Sequence, residues 1–490
     1  HPWNPMNKIV KILEIPKEVR ETSGVLSAAG YENYLVGGCV RDILLGRVPK
    51  DWDFTTKATP EEIQKLFPDS FYENDFGTVG VKAEMGIIEV TPYRLESGYA
   101  DARHPDAVSW AKTLEEDLAR RDFTINALAY NLETSELIDL FDGQTDLEKK
   151  VIRTVGKPEE RFKEDALRMF RAVRFTSELG FALAHETQSA IGENSNLLEK
   201  ISKERIRDEF VKIIMSDNPA IALDIAARIG LLKYISEEFE RGIGVTQNKA
   251  HAYTVWEHLL RSLNHAAAKK FPLHVRLAAL FHDIAKPHTK YMKNGEATFY
   301  GHEVVGARLA KKILEDLKFP KETIEQVTKL VRWHMFFSDT EQISLSAVRR
   351  MVRNVGPELV WDLMDTRVAD RIGTGRPKET PYRLRKYHSM IEQVMRDPIS
   401  VKQLVMNGED VMKLTGTTGG PHVGAILEIL LAEVLNDPTL NTKEYLEKRI
   451  HKLNALDKNE LMKLGREARI QNEGEEEKEV EKIKQDYKVQ

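Results

Sequence analysis

The sequence predicts a small α/β head followed by a long all-α body, and three observations carry that prediction. Strand-like runs rich in β-branched residues, set between glycine turns, are confined to residues 34–155. From about residue 159 onward strand signals vanish and apolar residues recur at helical spacing. The helical stretch is punctuated by proline and glycine at "AKPHTK", "KFPKE", "GTGRPKETP" and "GTTGGPHVG", with no fixed-period repeat.

Within the head, "YLVGG" reads as a short apolar strand, "VRDILLG" as a short helix and "DWDFTT" as a second strand. "TPEEIQKLF" opens a helix: Thr59 caps it, Pro60 takes the first helical position and Glu62 completes a capping box. "GTVGVKA" and "GIIEVTPY" read as paired strands. In the body, "PEERFKEDALRMFRAVRFTSELG" has one continuous helical period ending at Gly180. "KERIRDEFVKIIM" and "NPAIALDIAARIGLLKYI" repeat the pattern.

The 490 residues are enough for about three domains. With 41% hydrophobic and 30% charged residues the composition is that of a globular protein with long helices. No apolar run approaches the ~18 residues of a membrane span, and no secretory signal is read at the start. The opening "HPWNP" lacks an initiator Met and is set aside, with Met6 the expected start. A lone cysteine, Cys39, excludes an internal disulfide and fits a reducing cytoplasm, so a cytoplasmic location is expected. Cys39 is read as a small buried residue beside the glycine turn. A net charge of -5 argues against a general nucleic-acid binder, but the charge is uneven. "NEGEEEKEVEKIKQD" makes the tail acidic, whereas Arg120, Arg121, Arg153, Arg161, Arg168, Arg171 and Arg174 form a local basic surface suited to phosphates.

The densest chemistry lies in "LVGGCVRDILLGRVPKDWDFTT". On a strand Asp51 and Asp53 share a face. Two converging carboxylates need a shared proton or a divalent cation. Mg²⁺ would take further ligands from water and phosphate, and Gly37, Gly38 and the helix start would offer N–H groups to that phosphate. Arg41 adds a fork donor. A surface turn with two aspartates is the competing reading of "DWD" alone. A second constellation, "LEEDLARRDFTINALAY", carries Arg121 and Asp122. In a third, "EDALRMFRAVRF", Asp165 and Arg168 are expected on one helix face, with Arg171 and Arg174 continuing the stripe. An ordinary salt-bridged helix face fits that spacing too.

These motifs, with "DLFDGQTDLEKKVIRTVG", stand in the order and spacing of one family across about residues 36–210. The chain resembles the class II tRNA nucleotidyltransferases, the CCA-adding enzymes, within the wider family that includes bacterial poly(A) polymerases. The resemblance implies a polymerase-β-like mixed sheet in the head and addition of CCA to tRNA from CTP and ATP. It implies Mg²⁺ at Asp51 and Asp53. It implies nucleotide contacts from Gly38, Arg41, Arg121, Asp165, Arg168, Arg171 and Arg174. Glu89 would be a third carboxylate, as in the broader polymerase superfamily. An Asp and an Arg can read cytosine and adenine together: both bases offer an amino group beside a ring acceptor, and guanine and uracil reverse that order.

In the body, "HAYTVWEHLL", "LAALFHDIAKP", "FYGHEVVG", "VRWHM" and "DTRVADRIG" hold His258, His282, Asp283, His302, His334 and Asp370. The H…HD…D order resembles the HD phosphohydrolases, helical bundles whose imidazole and carboxylate ligands suit a transition-metal ion. His258, His282, Asp283 and Asp370 would be its ligands, with His302 and His334 completing a two-metal site and Lys286 holding a phosphate. Asp365 competes with Asp370, and Asp370 is preferred because "ADR" resembles the family's ending. "GTTGGPHVGAILEIL" resembles the tail domain of HD-bearing CCA enzymes, where a helix N-terminus would approach RNA phosphate; a plain inter-helix turn is the equal alternative.

The expected organisation is a catalytic head at 6–155, a helical base-recognition neck at 156–245 and an HD domain at 246–377. A helical tRNA-binding region at 378–470 and an acidic tail at 471–490 complete it. Rival readings are a poly(A) polymerase or a CC-only or A-only enzyme, the last two turning on the loop at 94–110. A rival of another class is an HD phosphohydrolase with a non-catalytic RNA-binding head.

Overall fold

The computed structural model describes residues 15–73, 77–97, 107–249, 251–336 and 343–473. They form two compact units, the first within His1–Ile213 and Ile221–Ile235, the second within Ile214–Ala220 and Ser236–Gln490.

The first unit is built on a mixed sheet. Its strands, in chain order, are β1 (Asn33–Val36), β2 (Trp52–Thr56), β3 (Ser70–Tyr72), β4 (Val79–Ala83) and β5 (Gly86–Pro92). A separate hairpin of β6 (Arg94–Ser97) and β7 (Ala107–Trp110) follows, then β8 (Leu128–Tyr130) and β9 (Leu137–Asp139). The 7-stranded sheet runs β3-β4-β5-β2-β1-β8-β9. The expected pairing of β4 with β5 is present and antiparallel. β2 and β5 run parallel, which requires a crossover, supplied by the helix Pro60–Leu66 with β3 and β4. That helix starts as its sequence dictates, with reciprocal Thr59 and Glu62 capping and Pro60 in the first turn. Val36, Tyr93, Leu114, Leu118 and Ala129 pack into a buried cluster that fixes the helix Leu114–Ala119 against the sheet.

Two expectations about the helices are corrected. "PEERFKEDALRMFRAVRFTSELG" is not one helix: it breaks into Pro158–Glu164 and Arg168–Leu179. Asp165 leaves the helical conformation (φ -145°, ψ 106°), and its Oδ1 accepts from the Leu167 N–H at 3.0 Å. A local side-chain bond to the backbone therefore outcompetes the helix ladder. The body also keeps short strands: Ala182–Leu183 pairs in parallel with Val151–Ile152 of the head, and Tyr291–Lys293 forms a hairpin with Glu296–Thr298. The hairpin turns at Asn294 and Gly295, both at positive φ.

The second unit is helical. Val255–Ala268 begins with a capping box from Thr254 and Glu257 and packs on Leu273–Phe281, which is buried almost all round, and on Val360–Gly373. A Cβ at Gly373 would lie 3.1 Å from the His258 carbonyl and would overlap Ser262, so glycine sets how closely these two helices approach. Farther along, Pro421–Asn436 packs on Lys458–Glu473. There a Cβ at Gly465 would fall 2.5 Å from the Ala425 Cβ. Among the described residues no helix is long and apolar enough to cross a membrane.

Candidate functional site

In the head, Asp51 sits in the bend just before β2 and Asp53 is the second residue of that strand. The parallel register sets Asp53 opposite Glu89 of β5, so both side chains leave the same face of the sheet. The two carboxyls are close enough to shift each other's titration. Burial pushes Asp53 up to about 6, with Arg121 pulling it down and Asp51 pushing it up. Glu89 rises to about 7 through burial and the charges of Asp53, Glu73 and Asp51. A carboxylate cluster held this far from its ordinary range takes up a proton or a divalent cation. Facing could not be read from sequence for Glu89, and the β2–β5 pairing supplies it.

The glycine turn stands beside this pair. Gly37 is at φ 75°, and a Cβ there would meet the Arg121 Nη1 at 3.3 Å. Gly38 opens the helix Gly38–Leu44, and Cys39 behind it is buried. Burial and Asp53 push the Cys39 thiol up to about 12, so it is a packed, inert residue as expected. Arg41 donates to Asn126 Oδ1 at 2.7 Å and to Asp42, and its guanidinium lies 5.3 Å from the Phe175 ring centroid. Arg121 donates to Asp117 Oδ2 at 3.2 Å. Asp117 is fully buried and also accepts from Thr55, Arg120 and the Arg94 N–H, so it ties the carboxylate-bearing strand to the arginine motif. Asp117 was not singled out by sequence; its place one turn before "RRD" was the available signal.

Asp165 and Arg168 do not share a helix face. Asp165 pairs with Arg205 at 2.8 Å, while Arg168 pairs with Glu164 and donates to the Arg120 carbonyl at 3.3 Å. Arg171 pairs with buried Asp122 at 2.6 Å. Burial alone would raise Asp122, but Arg171 and Arg168 outweigh it and hold the carboxyl at about 2. Arg174 is buried against Glu209 and Glu178. Arg205 and Asn126 are partners that sequence reasoning missed, and Asp122 was named there without its pairing to Arg171. Asp122 and Asn126 both lie inside the "RRDFTINALAY" motif, whereas Arg205 lies far outside it.

In the second unit, His258, His282, Asp283 and Asp370 converge, and so do Asp283, His302 and His334. Asp283 belongs to both groups. Its Oδ2 lies 3.2 Å from His258 Nε2 and 3.3 Å from His282 Nε2. Its Oδ1 lies 3.1 Å from His302 Nε2 and 3.6 Å from His334 Nε2. Asp370 Oδ1 is 3.1 Å from His258 and 3.3 Å from His282. Asp365 is not part of either group, and burial followed by the Asp362 charge pushes it up to about 6. Lys286 Nζ meets Asp283 Oδ2 at 2.8 Å.

The donor set fits cations. His282, His302 and His334 each place Nδ1 within 2.8 Å of a backbone carbonyl, those of Ala279, Phe299 and Val331. This fixes the proton on Nδ1 and leaves the Nε2 lone pair pointing into the cluster. His258 Nε2 and His282 Nε2 are only 2.8 Å apart, and His302 Nε2 and His334 Nε2 are 3.3 Å apart. Nitrogen and oxygen lone pairs gathered at these spacings repel unless a cation or proton lies among them. About 3 Å is the edge of an octahedron with ~2.1 Å metal–ligand bonds.

Three family models match the chain. The poly A polymerase head domain matches residues 33–153, the probable RNA and SrmB-binding site of polymerase A matches 180–242, and the HD domain matches 250–373. The CCA-adding enzyme of Geobacillus thermodenitrificans is 35% identical over 422 residues, 86% of this chain and 92% of that protein. The CCA-adding enzyme of Lactobacillus delbrueckii subsp. bulgaricus is 51% identical over 207 residues, 42% of this chain and 52% of that protein. The crystal structure of Bacillus stearothermophilus CCA-adding enzyme in complex with CTP matches with a TM-score of 0.69 at 30% identity, over 90% of this chain and 98% of that one. Likeness at this level, running from the sheet of the head through the helical body, shows that the chain belongs to the CCA-adding enzyme family.

Proposed function

We propose that the protein adds CCA to tRNA 3′ ends without a nucleic-acid template, using CTP and ATP, and that its HD domain is a metal-dependent phosphohydrolase. The observation that carries the first part is the Asp53–Glu89 pair on adjacent parallel strands, with Asp51 and Arg121 beside it. Asp51 and Asp53, with Glu89 as third carboxylate, would hold Mg²⁺. When bound, Mg²⁺ supplies charge stabilisation to the attacking and leaving oxygens of nucleotidyl transfer. Gly38 and Arg41 receive the triphosphate, and Arg121 lies where it neutralises charge near Asp53. Asp165 and Arg168 read the base edge, and Arg171 and Arg174, held by their carboxylate partners, complete the nucleotide contacts. His258, His282, Asp283 and Asp370 would hold one transition-metal ion, and Asp283, His302 and His334 a second. The reading places the protein in the cytoplasm, in keeping with its one buried cysteine.

A poly(A) polymerase is the reading favoured by the description of the head model alone. Whether addition stops at CC is tied to the segment between β6 and β7, whose residues 98–106 lie outside the described residues. The test is incubation of the protein with tRNA transcripts ending at the discriminator base, at C and at CC, each with one labelled triphosphate. C should enter the first two and A only the third. Asp51→Ala and Asp53→Ala should each abolish incorporation with the circular dichroism spectrum unchanged. Near-normal addition by both variants would sink the assignment.

A further inference from the structure

The metal-competent cluster opens into a cavity of about 490 Å³, within the range of small-molecule sites. Its wall carries four basic side chains, Lys286, Arg367, Arg371 and Arg376, against three carboxylates, Asp283, Asp370 and Glu303. Lys286 is matched by Asp283 and Arg367 by Asp370. Arg371 and Arg376, at and beyond the end of the helix Val360–Gly373, also line the cavity. Arg371 donates Nε to the Lys378 carbonyl at 2.7 Å, a neutral acceptor. Arg376 is exposed, and neither arginine has a carboxylate partner among the described residues. Two guanidiniums that share a cavity wall without a counter-charge repel each other. An incoming anion relieves that repulsion, and a guanidinium fork matches phosphate geometry.

Resting on the phosphohydrolase reading above, we infer that this cavity takes a nucleotide-sized phosphoester carrying a second phosphate. One phosphate lies at the His/Asp cluster and the other on Arg371 and Arg376. In hydrolysis a water oxygen forms the new bond to phosphorus, the ester P–O bond breaks, and the leaving oxygen takes a proton. The products are inorganic phosphate and an alcohol that still bears the second phosphate. A simple monoester reaches the cluster but leaves the two arginines unused, so discrimination between the two substrate types belongs to these residues. Arg371 is half-buried near the end of the helix and Arg376 exposed just beyond it, and neither belongs to the buried core.

The test uses the full chain loaded with Mn²⁺ and compares adenosine 3′-monophosphate, adenosine 5′-monophosphate and adenosine 3′,5′-bisphosphate. The bisphosphate should show a kcat/KM about tenfold or more above the better monophosphate, the scale of one charge-assisted contact pair. The Arg371→Gln, Arg376→Gln double variant should bring that ratio close to one with an unchanged melting temperature. Calorimetry on chelator-treated protein gives a readout free of turnover: the double substitution should weaken bisphosphate binding about tenfold and monophosphate binding far less. Hydrolysis of all three at equal efficiency, or a preference that survives the double substitution, overturns the second-phosphate site while the phosphohydrolase reading stands. Failure to hydrolyse any of the three overturns both.

Discussion

Asp53 and Glu89 are the residues whose chemistry is most exposed to experiment. Their folded-state values of about 6 and about 7 lie above the ordinary 3.8 and 4.5. Raised carboxyls are protonated at mildly acidic pH and must lose protons to hold Mg²⁺. Nucleotide addition should therefore fall as pH drops through 7 towards 6, and a tenfold increase in Mg²⁺ should move the midpoint to lower pH, because cation and proton compete for the same oxygens. Stability carries the opposite sign. With folded values above unfolded ones, the pair opposes folding increasingly as pH rises from about 4 through 7. Mg²⁺ offsets that repulsion, so it should raise the melting temperature at pH 8 and hardly at pH 5. A rate midpoint insensitive to Mg²⁺ would remove these carboxyls from the metal site.

At the scale of elements, the break between the helices Pro158–Glu164 and Arg168–Leu179 decides how Asp165 is presented. Its Oδ1 accepts the Leu167 N–H, and Arg205 grips both oxygens at 3.3 and 2.8 Å. A carboxylate restrained in this way can accept from a base amino group at little further cost in side-chain freedom. Asp165→Ala should weaken selection of C and A over U and G by ~1–3 kcal/mol, read as relative kcat/KM for the four triphosphates. Arg205→Ala should do the same to a smaller degree, leaving Mg²⁺ dependence untouched. Unchanged ratios in both variants would place base reading elsewhere. The break was invisible in the sequence because the apolar period runs straight through it, and the residues that enforce it include Arg205, 40 positions away. The Thr59–Glu62 cap was legible because every partner lies within three residues. The metal-competent residues of the body were legible by type and order. Their pairing into two groups around Asp283 depends on how five segments of helix and turn pack, which no local pattern encodes. Glu89 is the intermediate case: its identity stood out, but only the parallel register fixes its face.

For the molecule as a whole, the question is whether its two proposed chemistries depend on each other. Every residue of the His/Asp cluster lies between His258 and Asp370, in the second unit, while Asp51, Asp53, Glu89 and Arg121 lie in the first. The ligand sets also differ in kind: carboxylates alone suit a hard ion such as Mg²⁺, whereas four imidazoles with two carboxylates suit a transition metal. A His282→Ala, Asp283→Ala double variant should lose bound transition metal and all phosphoester hydrolysis, yet extend tRNA at close to the wild-type rate. Removing Asp283 leaves Lys286 buried without its carboxylate, so the double variant risks local unfolding. His334→Gln keeps that ion pair and removes one nitrogen from the group formed with His302, so it provides the second arm. It should lose about half of the bound metal by elemental analysis, with an unchanged circular dichroism spectrum. Loss of tRNA extension in a variant that is still folded would mean the two sites are coupled. Wild-type protein that binds no transition metal would instead make the histidines structural, held together by protons shared among their facing nitrogens.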